Sequence, residues 1–361
     1  MKEIDGVLKD WGETASRSAA KAKQAKKVRN VTGGKGSRAA KSIHISGMSA
    51  RQKLTATVSK VPEVMVKISG GGKNLRQIKA HMDYISRNGA VELEDESGLI
   101  YSGKEDVRAV RDSWGDGRIG VPREGEKRRE AFNIVLSMPP GTDRAAVKDA
   151  AREFASELFN NHQYIFAAHD DEKHPHIHLA VKAVDLDGVR MNPRKADLQH
   201  WRETFAEKLR GQGIEANATP RQLRGVVKKA EKQSVKHINR RHREGKGGEL
   251  ARVTQSQQKA VEREVKAGQK HINPAQDNIS AGRKQVQQGY GAVARALAAG
   301  TGEDKQLALE VVQFVQQMPP VETRHAEQVE AVKRGMAREQ SRAVQKDQGR
   351  AGQQKDQGRS R

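Results

Sequence analysis

The richest run of chemically capable side chains lies between His162 and His178, which holds five of the twelve histidines. Its centre reads His169-Asp-Asp-Glu-Lys-His-Pro-His-Ile-His178. His176 and His178 are two apart in an apolar run, so on a strand both side chains point to one face. His169 closes the preceding apolar run and reaches the same face across a hairpin. Three imidazoles on neighbouring strands can bind one divalent ion and leave positions open for substrate oxygens. Asp171 is placed to orient a ligand. A lone His-x-His in a polar turn is ordinarily solvated, but three histidines flanked by an apolar strand and acidic residues point to a metal site. Tetrahedral structural zinc would need a fourth ligand and would close the site, whereas a phosphate-handling ion leaves it open. The chain has no cysteine, so thiolate sites and disulfides are excluded.

The elements that must carry these residues follow from periodicity. Tyr164–His169 and Ile177–Ala183 read as two strands, with residues 170–175 as a connection close to hairpin length. Ala131–Ser137 is a further strand, closed by Met138-Pro-Pro-Gly141. Thr142 and Asp143 cap a helix running to about Asn160. Upstream, Glu63–Ser69 alternates as a half-buried strand and Gly70-Gly-Gly72 ends it. Leu75, Ile78, Met82 and Ile85 then mark a helix over residues 74–87, with Asn88-Gly89 as its stop. Further helices are predicted over 104–114 and 196–211, and a turn with a short strand over 185–191. Hairpins with helices between them predict an α+β fold, an antiparallel sheet with flanking helices, rather than a parallel βαβ sheet.

The 361 residues are 35% hydrophobic and 31% charged, too polar for one packed globule of this length. Lys and Arg exceed Asp and Glu by 67 to 45, a net charge of +22 that favours a polyanionic partner. Residues 1–60 hold 14 Lys or Arg against 4 Asp or Glu and read as a basic arm, flexible over Lys21–Lys41. Residues 61–224 read as the folded domain. Residues 225–361 are Lys-, Arg-, Gln-, Glu- and Ala-rich, and read as helices fading into a disordered tail. In that tail Lys346-Asp-Gln-Gly-Arg350 recurs as Lys355-Asp-Gln-Gly-Arg359. No apolar run approaches a membrane span and no signal-peptide core is present, so a cytoplasmic protein is expected.

Three stretches, in order, resemble a known family. His169-x-Asp171 followed by His174-Pro-His-Ile-His178 resembles the third motif of conjugative relaxases. These are HUH endonucleases, named for two histidines around a hydrophobic residue, here His176-Ile177-His178. Ile78-Lys-Ala-His-Met-Asp-Tyr-Ile-Ser-Arg-Asn-Gly89 resembles the first motif, which carries a nucleophilic tyrosine at the position of Tyr84. Asn133-Ile-Val-Leu-Ser-Met-Pro-Pro-Gly-Thr142 resembles the second, whose serine, here Ser137, helps hold the DNA near the nick. The closer resemblance, over Val61 to Arg224, is to the relaxase/mobilisation nuclease family that includes plasmid transfer relaxases and the T-DNA border endonuclease. One position departs: Lys173 stands where close relatives often place an acidic residue, and either Glu172 substitutes or the position is dispensable.

The resemblance implies an HUH endonuclease-like core and a site- and strand-specific DNA endonuclease. Tyr84 would attack a phosphodiester of single-stranded DNA at an origin of transfer, release a 3′-hydroxyl and keep the 5′ end as a phosphotyrosine. A divalent ion, Mg or Mn, on His169, His176 and His178 would offset transition-state charge. Asp171 and His174 are the supporting catalytic candidates, and either His174 or the metal environment would take the phenol proton. His81, one turn before Tyr84, is read as structural. Ser137 either meets DNA or caps the next turn. The implied partners are relaxosome accessory proteins and a type IV secretion coupling protein, with export of the DNA-bound protein and Arg359-Ser-Arg361 as a transfer signal. The competing readings are a rolling-circle replication initiator, which usually places its tyrosine after the histidines, and a non-catalytic DNA-binding accessory protein.

Overall fold

The computed structural model of the chain describes residues 6–8, 11, 48–116, 119–124, 127–227, 231–268, 275–338 and 341. It forms two compact units: residues 1–224 with 289–316, and residues 225–288 with 317–361. The expected flexible stretch Lys21–Lys41, the two Lys-Asp-Gln-Gly-Arg repeats and Arg359–Arg361 lie outside the described residues.

The first unit is built on β1 (Met65–Gly70), β2 (Leu93–Asp95), β3 (Ile100–Tyr101), β4 (Ala131–Ser137), β5 (Tyr164–His169) and β6 (His176–Lys182). They form one sheet in the order β1-β4-β6-β5-β2-β3. Every pairing is antiparallel, so the predicted α+β class with an antiparallel sheet holds. Central strand β4 is buried along its length except at Asn133, as both its faces are covered.

Alternation along the strands divides the core in two. Phe132, Ile134, Leu136, Phe166, Ile177, Leu179 and Val181 face α4 (Arg144–Leu158) and α5 (Lys195–Gly211), packing on Val147, Phe154, Trp201 and Phe205. On the opposite face Ile165, Ala167 and Ala180 meet α2 (Leu75–Ile85) and α3 (Gly103–Ser113) through Ile78, Met82, Ile85, Val107 and Trp114. Helix α2 starts where the Asn74 side chain accepts from the Gln77 amide at 3.0 Å, a cap that satisfies one free N–H. It stops because Arg87, Asn88 and Gly89 take φ of 53°, 56° and 90°. Asp143 caps α4, accepting from Ala146 at 2.8 Å.

The sequence reading differs in four places. Strands β2 and β3 are too short to announce themselves by alternation. Residues 185–191 form a turn with one isolated bridge, Val184 to Arg190, rather than a strand. Residues 50–58, inside the compositional arm, form α1 (Ala50–Val58), with Ser49 and Gln52 making a capping box. Residues 289–316 pack in the first unit: Tyr290, Leu297, Val311 and Phe314 are buried, and Tyr290 donates to the Leu223 carbonyl at 3.1 Å.

The second unit is helical, with α6 (Gln233–Arg243), α7 (Arg252–Lys266) and part of α8 (Gln276–Ala298), which passes into the first unit ahead of α9 (Gly302–Gln316). Within it, buried Asn239 donates to Thr254 at 2.9 Å and accepts from the Ala251 amide at 3.0 Å. Among the described residues, no helix is long and apolar enough to cross a membrane.

Candidate active site

The register of the central strands assembles the histidines. His169 lies directly opposite His176, Ala167 opposite His178, and Ser137 on β4 opposite His176 on its other side. His169, His176 and His178 therefore project from one face of two neighbouring strands. One ligand nitrogen from each falls within 4.8 Å of the others. Ligands on one ion with ~2.1 Å bonds stand ~3.0–3.4 Å apart, so the three rings are grouped and need only small rotations to meet one ion.

Hydrogen bonds select the nitrogens. His169 Nε2 lies 2.6 Å from the Ile85 carbonyl and must donate to it, which leaves the Nδ1 lone pair facing the triad, where Arg87 Nη2 stands 3.3 Å away. His176 Nδ1 donates to the His174 carbonyl at 3.0 Å, which leaves Nε2. The Nδ1 of His178 is buried without a hydrogen-bond partner. An imidazole triad of this kind suits a divalent cation, and it can bind one.

The electrostatics favour the neutral form of His81, His169 and His178. Burial, then the neighbouring His169 and His176, push the His178 pKa down to about 3. Burial, then His169, bring His81 to about 4. For His169 burial lowers the pKa first, aided by Arg87 and His176, against the pull of the Ile85 carbonyl and Asp171. A neutral ring with an available lone pair is the form a cation needs.

Tyr84 comes to the same place from above. It sits near the end of α2 and is 53% exposed, on the rim rather than in the core. Its ring lies 5.7 Å from that of His178 and 6.4 Å from that of His169. His81, one turn earlier, stacks on it at 6.1 Å and meets His178 edge-on at 6.4 Å, with its own buried Nε2 unpaired.

The other predicted residues take distinct positions. Ser137 is 6% exposed, and its hydroxyl points to the Met138 carbonyl at 3.4 Å. His174 is exposed and touches the triad only through its carbonyl. Asp171 forms an ion pair with Arg87. Burial works against the Asp171 charge, but the Arg87 guanidinium outweighs it and holds the carboxyl below its usual range.

Two arginines escaped the sequence reading. Arg144, the first residue of α4, donates to the His169 carbonyl at 3.2 Å, to Asp170 at 3.0 Å and to the Glu172 carbonyl at 2.6 Å, fixing the loop between β5 and β6. Arg87 lies 3.3 Å from His169 Nδ1 through its Nη2, with its guanidinium carbon 4.9 Å from the centre of the Tyr84 ring. Burial works against its charge. Hydrogen bonds to Asp171 and to the Tyr84 side chain prevail and hold its pKa above the ordinary arginine value. A basic residue three after the tyrosine was the available signal for Arg87.

Known proteins resemble the chain over this region. Residues 84–214 match the family model described as the MobA/VirD2-like nuclease domain of relaxases. The T-DNA border endonuclease VirD2 of Rhizobium radiobacter is 30% identical over 186 residues, which cover 46% of this chain and 44% of that protein. The VirD2 proteins of Rhizobium rhizogenes and Agrobacterium fabrum are 30% and 29% identical over the same length, covering 43% and 42% of their chains. The chain thus spans less than half the length of these relatives.

Proposed function

We propose that the protein, whose residues 84–214 match the model of the MobA/VirD2-like nuclease domain of relaxases, nicks one strand of DNA at an origin of transfer and later rejoins it. The observation that carries the reading is the exposed Tyr84 ring standing over three grouped imidazoles. The Tyr84 oxygen bonds to the scissile phosphorus as the bond to the 3′ oxygen breaks. The phenol proton leaves, and the 3′ oxygen gains one. The diester energy stays in the phosphotyrosine, so the reverse attack needs no nucleotide cofactor. A Mg or Mn ion on His169, His176 and His178 would supply charge for the phosphate oxygens.

The chain's own groups prepare that step. The Ile85 and His174 carbonyls fix which nitrogens His169 and His176 present. His81 backs the Tyr84 ring. Asp171 acts through Arg87, while Ser137, at the end of β4, holds DNA beside the nick. His174 has the exposure to relay the phenol proton. Residues 61–224 would carry this chemistry, with basic segments on either side for the DNA backbone. The biological setting that fits is conjugative mobilisation: relaxosome accessory proteins and a secretion coupling protein as partners, and export with the DNA.

The test is an assay for a covalent adduct between the full chain and a labelled single-stranded origin oligonucleotide in Mg²⁺ or Mn²⁺. The adduct is expected to survive denaturing electrophoresis and to vanish in Tyr84→Phe and on chelation, while DNA binding persists. An adduct undiminished in Tyr84→Phe removes the nucleophile assignment. Absence of adduct under every condition favours a DNA-binding accessory protein.

A further inference from the structure

Helix α2 ends in a backbone turn that does more than stop it. Arg87 is a non-glycine residue at φ 53°, a left-handed conformation that persists only where the surroundings hold it. The Asn88 amide closes the turn on the Asp83 carbonyl at 2.8 Å, and the turn aims one guanidinium at a set of contacts. Nη2 pairs with Asp171 and lies 3.3 Å from His169 Nδ1. Nη1 donates to the Tyr84 carbonyl at 3.4 Å, and the guanidinium carbon lies 4.9 Å from the Tyr84 ring centre. One side chain thus joins the exposed tyrosine, an imidazole of the triad and the loop between β5 and β6.

We propose that Arg87 is a catalytic residue of the nicking reaction, fixing the Tyr84 ring for attack and then pairing with the phosphate carried on Tyr84. The proposal rests on Tyr84 being the nucleophile. A guanidinium has five N–H donors in a rigid fork, and the contacts above leave some of them for phosphate oxygens. Its side chain is 34% exposed, so DNA can reach it. As the tyrosine oxygen bonds to phosphorus and the 3′ oxygen departs, negative charge gathers on the non-bridging oxygens beside this fixed cation. In the adduct the remaining diester charge is still there to be paired, which keeps the 5′ end in place for rejoining.

Asp171 is then a positioning residue. It turns the fork toward the tyrosine and takes up part of its charge, and an ion on His169 Nδ1 would displace only the one Nη2 contact at 3.3 Å. A lysine at this position would bring the charge without the planar fork.

The experiment uses the full chain with single-stranded origin DNA and Mn²⁺. Single-turnover adduct formation, DNA affinity by anisotropy and Mn²⁺ affinity by calorimetry are measured for wild type, Arg87→Ala and Arg87→Lys. Arg87→Ala is expected to slow adduct formation by roughly 100-fold or more, with DNA and Mn²⁺ affinities within about threefold of wild type. Arg87→Lys should recover only part of the rate, and added methylguanidinium should raise the rate of Arg87→Ala. An unchanged rate in Arg87→Ala overturns the proposal. So does a rate loss matched by equal losses in DNA and Mn²⁺ binding without guanidinium rescue, the signature of a structural pin. A wild-type chain that forms no adduct removes the Tyr84 reading itself, and Arg87 with it.

Discussion

His169 and His176 offer different nitrogens to the same point because different carbonyls hold their rings. His169 gives its Nε2 proton to Ile85, in the last turn of α2, and is 2% exposed. His176 gives its Nδ1 proton to its own hairpin and stays half-buried. Their truncations should therefore separate. His176→Ala is expected to weaken Mn²⁺ binding by ~10-fold or more in calorimetry, with the melting temperature of the metal-free protein within about 2 °C of wild type. His169→Ala should lose metal and also destabilise the fold by about 1–3 kcal/mol, since the Ile85 carbonyl is left unpaired. Equal melting temperatures for the two variants would contradict this division. The three histidines were legible because alternation on a strand is a strict rule. Arg87 and Arg144 were not, because their contacts run between elements: Arg87 stands three after Tyr84, but only its left-handed backbone aims it across to Asp171 and His169.

At the scale of elements, the turn that ends α2 decides where Tyr84 stands. Gly89 has φ 90°, and a Cβ there would lie 2.5 Å from the Gly103 carbonyl carbon and 2.6 Å from the Lys104 amide. Its amide and carbonyl are both used, by Ser86 and by the Gly103 amide. Gly89→Ala is expected to cost about 2–4 kcal/mol in denaturant unfolding and to depress adduct formation more than single-stranded DNA affinity. A variant as stable as wild type would show that the turn tolerates another backbone path. The central strands and most helices were readable because each carries a long apolar period and a recognisable cap. Strands β2 and β3 were not: they have three and two residues, and their place rests on tertiary pairing. Buried Glu94 on β2, for example, is neutralised by Arg152 from α4.

At the scale of the molecule, the neutral histidines make stability depend on pH. In the fold His81 titrates near 4 and His178 near 3, against 6.5 ordinarily. The unfolded chain therefore binds more protons between those values. Their contribution is complete above about pH 6.5 and declines as pH falls toward 4 and 3. The metal-free protein is expected to melt ~5–10 °C lower at pH 5 than at pH 7.5, and His81→Phe should shrink that difference. A flat profile would show that these rings are not held neutral.

Composition made the basic character legible across all 361 residues. It failed at residues 289–316, whose apolar positions are diluted by Gln, Ala and Glu, yet which bury Tyr290 against Trp11 and Phe314. Helix α9 also reaches α1, where Arg51 pairs with the buried Asp304. This closure orders events on the ribosome. The sheet is complete in the nascent chain by Lys182 and its two cores by Ala216, but the cluster of Tyr290 and Phe314 in the same unit arrives only with Phe314. Synthesis at ~5–20 residues per second leaves a window of several seconds in which the sheet and its two cores stand without that last cluster. A fragment cut at the end of the nuclease homology would remain in that state permanently.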